Sequence, residues 1–244
     1  MRKISTAIVC AMLVAGCSNS VTISKQPEKI SSSFKEIQTV ETIEKQKVLL
    51  QVPLIKQLPE LPRGCEVTSL AMLLRHAGLN VDKMTLAKEV RKDTTPYQRK
   101  NGITYFGNPN QGFVGNMYDI NKPGLGVYSN PIADLAEQYL PGRIVNLTGA
   151  DFEDVMQHVE NEKPVWVINN ILFSHVPDKY WVEWQTPQGK MMITYKEHSV
   201  LITGYDEQNI YFNDPLAGMK NRKIPKSQFQ KGWEQMGRHA ITYK

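Results

Sequence analysis

The chain has 244 residues, 41% apolar and 22% charged, with 16 Gly and 14 Pro. That balance excludes a disordered, collagenous or disulfide-dense chain and leaves room for an ordinary packed core. Lys and Arg number 29 against 24 Asp and Glu, and two of those cations, Arg2 and Lys3, sit in a segment read below as removed. Such a small excess is not the dense basic stripe that nucleic acid requires, so no nucleic-acid partner is expected.

In chain order, Arg2 and Lys3 precede an apolar run over residues 4–16, too short to span a bilayer, which takes about 20 residues. It ends in Leu13-Val14-Ala15-Gly16-Cys17, small residues set just before a cysteine, as in a bacterial lipobox. Residues 1–16 are therefore read as a lipoprotein signal peptide and Cys17 as the lipidated first residue of the mature chain. Long acyl chains such as palmitate contribute about 0.8 kcal/mol per buried CH₂, so two or more would tether the protein stably. Residues 17–46 are rich in Ser, Thr, Lys, Glu and Gln and read as a flexible stalk, because they bury too little surface to offset chain entropy. The expected location is the extracytoplasmic face of the cell membrane.

One domain is predicted over residues 47–244. A strand is expected at 48–52 and a Pro-containing loop at 57–64. Val67, Leu70, Ala71, Leu74 and Ala77 recur at helical spacing, with Gly78 as the stop. A second helix is expected over 85–91, opened by a Thr85 cap. Residues 94–130, with six glycines, read as a long loop, which in a compact domain is functional or misassigned. Helices follow at 131–138 and 151–160, then strands at 165–171, 180–185, 191–195, 199–205 and 210–213. Helices first and strands later predict an α+β fold.

The chemistry starts at the cysteines. Cys10 leaves with the signal peptide and Cys17 carries lipid, so Cys65 is the single remaining thiol, and an unpaired thiol outside the cytoplasm is read either as reactive or as a small buried hydrophobe. It falls in the first turn of the first helix, where unpaired N–H groups and the dipole favour the thiolate and predict a lowered pKa. Gln57 lies on the loop entering that helix, where its amide is either a solvated loop group or an oxyanion donor beside the Cys65 N–H. Farther on, the strand opening at Glu197-His198 turns near 206–208 and returns through Asn213-Asp214-Pro215. A three-residue turn would pair Tyr205 with Asn209 and bring His198 and Asp214 to one face. A two-residue turn would separate them unless a bulge intervened. His76, His158, His175 and His239 lack metal-ligand spacing and Cys65 has no second Cys beside it, so neither metal nor cofactor is expected. Phe106, Phe113, Tyr128, Trp181 and Trp184 are read as core or as cleft lining.

The order Cys, His, Asp, with a Gln before the Cys, resembles papain-like cysteine peptidases. The run from Val52 through Gly64-Cys65-Glu66-Val67-Thr68-Ser69-Leu70 is similar to exported bacterial proteins of the cysteine peptidase family 39-like group. So are His198 through Asp206, Asn213-Asp214-Pro215-Leu216, Phe113-Val114-Gly115-Asn116-Met117, Pro141-Gly142-Arg143 and Trp233-Glu234-Gln235-Met236-Gly237. The resemblance implies a papain-like fold in which an N-terminal helix carrying Cys65 packs on an antiparallel sheet carrying His198 and Asp214. It implies Cys65 as nucleophile, His198 as base, Asp214 as its orienter and Gln57 as oxyanion donor. The expected activity is hydrolysis of a peptide or isopeptide bond, with a peptide or cell-wall peptide as substrate. Two other readings stand beside it: a peptidoglycan amide hydrolase, and a non-catalytic cell-surface module that binds peptide on the same fold.

Overall fold

The computed structural model describes residues 47–244. The segments read as signal peptide (1–16) and stalk (17–46), with the lipidation residue Cys17, lie outside the described residues. In chain order the elements are β1 (Lys47–Leu49), α1 (Cys65–His76), α2 (Lys83–Glu89), β2 (Lys92–Asp93), β3 (Gln98–Lys100), β4 (Ile103–Tyr105), β5 (Phe113–Val114), α3 (Ser129–Tyr139), β6 (Ile144–Asn146), α4 (Phe152–Glu160) and β7 (Val165–Asn170). Then follow β8 (Trp181–Thr186), β9 (Gly189–Thr194), β10 (Glu197–Asp206), β11 (Asn209–Asp214), β12 (Met219–Pro225), α5 (Lys226–Gln235) and β13 (Ala240–Tyr243). The architecture is mixed α+β.

The main sheet runs β12-β11-β10-β7-β13-β6, and β1 pairs with the far end of β10. All of these pairings are antiparallel. A smaller sheet, β3-β4-β8-β9, stands apart from it. Trp184 of β8 and Phe106, just past β4, join Val114, Leu125 and Ile193 in a second, minor core, whereas Phe113 and Tyr128 belong to the main one.

β7 is buried along its whole length and shows which helix covers which face. Trp166 donates its indole N–H to the Glu66 carbonyl of α1 at 2.9 Å. Asn169, three residues on and therefore on the opposite face, donates to the Phe229 carbonyl of α5 at 2.9 Å. The sheet is thus sandwiched. α1 is buried from Cys65 through Leu74 and is covered on more than the single stripe its spacing predicts. Each fully buried Leu or Met there contributes roughly 1.5–3 kcal/mol. On the other face, Phe173, Phe212 and Phe229 pack ring to ring.

Three expectations change. The first strand is Lys47–Leu49 rather than 48–52, because after Leu50 N–H bonds the Thr203 carbonyl at 2.7 Å the chain turns away from β10. The second helix begins at Lys83, since the Asp82 carboxylate caps the Met84 N–H at 3.0 Å one turn before Thr85. Residues 94–130 are not one loop but contain β3, β4 and β5, each too short to show a period.

Candidate functional site

α1 opens at Cys65 with Gly64 as N-cap and no capping side chain. A Cβ at Gly64 would lie 2.5 Å from Leu61 Cβ, so only glycine lets the approach loop fold tightly onto the helix start. That loop is pinned from two sides. Gln57 N–H donates to the Pro215 carbonyl at 3.0 Å, just beyond β11. The buried Lys83 ammonium donates to the Lys56 and Gln57 carbonyls at 2.6 and 3.0 Å and to Glu60 Oε2 at 2.7 Å. Across the site, Arg63 donates to the carbonyls of Asn116, Asp119 and Ile120 and straps that segment to the helix start. The Gln57 side chain is itself buried, with Nε2 on the Pro62 carbonyl at 3.2 Å and Oε1 unpartnered.

The Cys65 sulfur is buried and donates to Glu66 Oε2 at 3.4 Å. Glu66 Oε1 accepts the Val127 N–H at 2.7 Å. One oxygen each of Glu66 and Glu197 lies with Sγ in a group whose members are all within 4.8 Å of one another. Burial, then the charges of Glu66 and Glu197, push the Cys65 thiol well above its ordinary value, and the Ser199 backbone N–H pulls it only partly back. The lowered pKa expected from the helix start is therefore overturned. A dipole worth roughly 0.3–1 kcal/mol is outweighed by desolvation and two neighbouring carboxyls. Burial likewise lifts the Glu66 carboxyl to about 7. Glu197 is raised by burial and by the Glu66 charge.

β10 and β11 deliver the second group. Near the turn they pair as Tyr205↔Ile210 and Gly204↔Tyr211, the register of a two-residue turn. Beyond Gly204 they pair as Ile202↔Phe212 and Leu201↔Asn213, with a shift between. Thr203 is the extra residue, a bulge that moves His198 and Asp214 back to one face. Their side chains meet: His198 Nε2 lies 2.9 Å from Asp214 Oδ1. Asp214 Oδ1 also accepts from Leu216 and Ala217 N–H, both at 3.0 Å, and Oδ2 accepts from Arg222 at 2.7 Å. Burial alone would raise the Asp214 carboxyl, but His198, the Ala217 N–H and Arg222 together hold it well below the usual carboxylate range. The Phe173 edge packs on the imidazole, and Arg222 lies over the Phe173 ring at 4.7 Å.

Of the four residues singled out in the sequence, His198 and Asp214 are brought into direct contact, while Cys65 bonds Glu66 rather than His198. Sequence reasoning passed over Glu66, Glu197, Lys83 and Arg222. The available signals were a Glu inside an otherwise apolar helical run and a second Glu beside the His. Of the other histidines, His76 lies on the Tyr243 hydroxyl, His239 on the Ser129 hydroxyl and His175 on the Gln235 amide.

The sequence pattern of the Peptidase_C39 like family matches residues 49–241. The uncharacterized protein YvpB of Bacillus subtilis (strain 168) is 47% identical over 195 residues, which is 79% of this chain and 74% of that protein. A crystal structure of a candidate C39-like peptidase from Bacillus anthracis is similar at a TM-score of 0.75 and 45% identity, covering 81% of this chain and 97% of that one. With the match running through α1 and the β10–β11 hairpin alike, this chain belongs to the Peptidase_C39 like family.

Proposed function

We propose that the protein is a lipid-anchored, exported thiol hydrolase with a papain-like domain over residues 47–244, cleaving a peptide or isopeptide bond. The observation that carries this reading is the His198–Asp214 pair at 2.9 Å, set one residue from the Ser199 N–H that acts on the Cys65 sulfur. Asp214, ionised and held by four hydrogen bonds, fixes the imidazole through Nε2 and leaves Nδ1 for proton transfer. On turning to His198, the Cys65 thiol passes its proton to the imidazole, and the thiolate attacks the acyl carbon. The oxyanion is met by the Cys65 N–H and by the second N–H of the Gln57 amide, whose first is committed to Pro62. His198 gives its proton to the departing amine as the tetrahedral centre collapses to a thioester. Water, deprotonated by His198, then releases the acid and restores the thiol. Export and anchoring rest on the run from Arg2 to Cys17 alone.

Hydrolysis of a peptide library and of purified peptidoglycan tests the reading. Cys65→Ala and the Cys65→Ala/His198→Ala pair should be equally inactive, because effects within one catalytic unit do not add. Asp214→Asn should keep a measurable remainder, general-base help being worth about 10²–10⁴-fold. Release from peptidoglycan but not from the library would assign the amide hydrolase instead. Absence of hydrolysis from both, with peptide retained, would assign a binding module.

A further inference from the structure

Glu66 and Glu197 take no part in the steps above, yet they are the groups that face the nucleophile. Glu66 is fixed at both ends, its carbonyl by the Trp166 indole and its Oε1 by the Val127 N–H. That leaves Oε2 to the Cys65 thiol at 3.4 Å. Glu197, from the first residue of β10, closes on the same spot, and its buried Oε1 has no hydrogen-bond partner. The Gly126 backbone lies against both, where a Cβ would collide with Glu66 Oε1 and come within 3.0 Å of Glu197 Oε2. The other titratable group facing the pair is the Tyr128 phenol, raised by burial and by both carboxyls. Among the described residues, neither carboxylate has an ion-pair partner. Two carboxylates this close, shut away from water and without a cation, do not both ionise at neutral pH.

We propose that Glu66 and Glu197 hold a single proton between them, and that Glu66 is a positioning residue for the nucleophile. It keeps the Cys65 thiol protonated and bonded to its own carboxyl, so the thiol must leave Glu66 before it can meet His198. The inference rests on the reading of Cys65 as nucleophile, but its readout does not depend on hydrolysis. No proton moves in the resting arrangement, since Cys65 keeps its hydrogen and Glu66 supplies the accepting oxygen.

The test is the rate of iodoacetamide alkylation of Cys65 in the full chain, followed by intact mass between pH 6 and 9. Glu66→Gln keeps an acceptor for Val127 and puts an amide N–H, a donor that favours the thiolate, where Oε2 now accepts from the thiol. It should alkylate about tenfold faster at pH 7, with the pH profile displaced downward by about one unit. A Glu66→Gln rate at or below the parent's would overturn the proposal and make Glu66 an aid to thiol ionisation. Should Glu66→Gln not fold, the parent gives the answer by infrared spectroscopy. A protonated-carboxyl C=O band is expected at pH 7 and should persist in Cys65→Ala, and its absence would overturn the shared proton. If Glu66→Gln accelerates alkylation while no variant or parent hydrolyses peptide, the positioning role stands and the hydrolase reading falls. If the parent hydrolyses peptide and Glu66→Gln brings no acceleration, the hydrolase reading stands and the positioning role falls.

Discussion

Asp214 and Glu66 are both buried carboxyls beside a group proposed to carry the chemistry, yet they are driven in opposite directions. Burial penalises the charge of each. At Asp214 an imidazole, an arginine and two backbone N–H groups answer that penalty, and the acid stays ionised. At Glu66 one backbone N–H and a thiol stand on one side, a second buried carboxyl on the other, and the acid holds its proton up to about pH 7. Burial therefore does not decide ionisation by itself; the number and sign of the partners do. The same domain keeps one carboxylate charged against an imidazole and another largely neutral against a thiol.

Breaking the Asp214 side should have the largest effect. Asp214→Ala leaves Arg222 and His198 without their shared acceptor and should destabilise the fold by about 3–5 kcal/mol. Urea unfolding followed by circular dichroism checks this, and a loss under about 1 kcal/mol, the scale of an exposed ion pair, would mean that the carboxylate is not structurally engaged. Crowding the Glu66 side comes next. Gly126→Ala puts a methyl where Glu66 Oε1 now sits and should cost about 1–3 kcal/mol as overpacking does. The same substitution should speed Cys65 alkylation, since the displaced carboxylate no longer accepts from the thiol. A variant as stable and as slowly alkylated as the parent would show that the pair has room to spare.

The smallest effect reads the sign of the shift. Glu66 is raised in the folded chain, so its contribution to stability is full below pH 4.5 and is lost as pH rises toward about 7. His239, held down to about 4 by burial, works the other way, and its contribution fades as pH drops below about 6.5. In the parent the two oppose each other between about pH 5 and 7. Glu66→Gln should leave the His239 trend more exposed, so that its melting temperature falls more on acidification from about pH 7 to 5 than the parent's does. Equal changes in parent and variant would mean that native Glu66 carries no proton in that range.

Much of this could be read from residues alone, and the failures share a cause. Cys65 at a helix start and a His and Asp on one hairpin follow from local pattern, because apolar spacing and turn residues act over short stretches. The ionisation of Cys65 does not, since Glu197 and the Val127 N–H arrive from far along the chain. Glu66 even reads locally as a favourable first-turn acid. Thr203 likewise gives no sign of being a bulge, and only the pairing of both strands makes it one. β12 and α5 carry little pattern because one is largely polar and the other buries only Phe229, Gly232 and Trp233.

The bulge at Thr203 makes the β10–β11 hairpin a pair of compensating length errors. The turn is one residue short for placing His198 and Asp214 together, and the strand is one residue long by the same measure. Either change alone would flip every side chain between them, as a single-base deletion shifts a reading frame. Made together they restore it, as a suppressor insertion does downstream. The hairpin can therefore exchange one solution for the other: deleting Thr203 while adding one residue between Glu207 and Gln208 should return the imidazole to its carboxylate, and neither edit should do so alone.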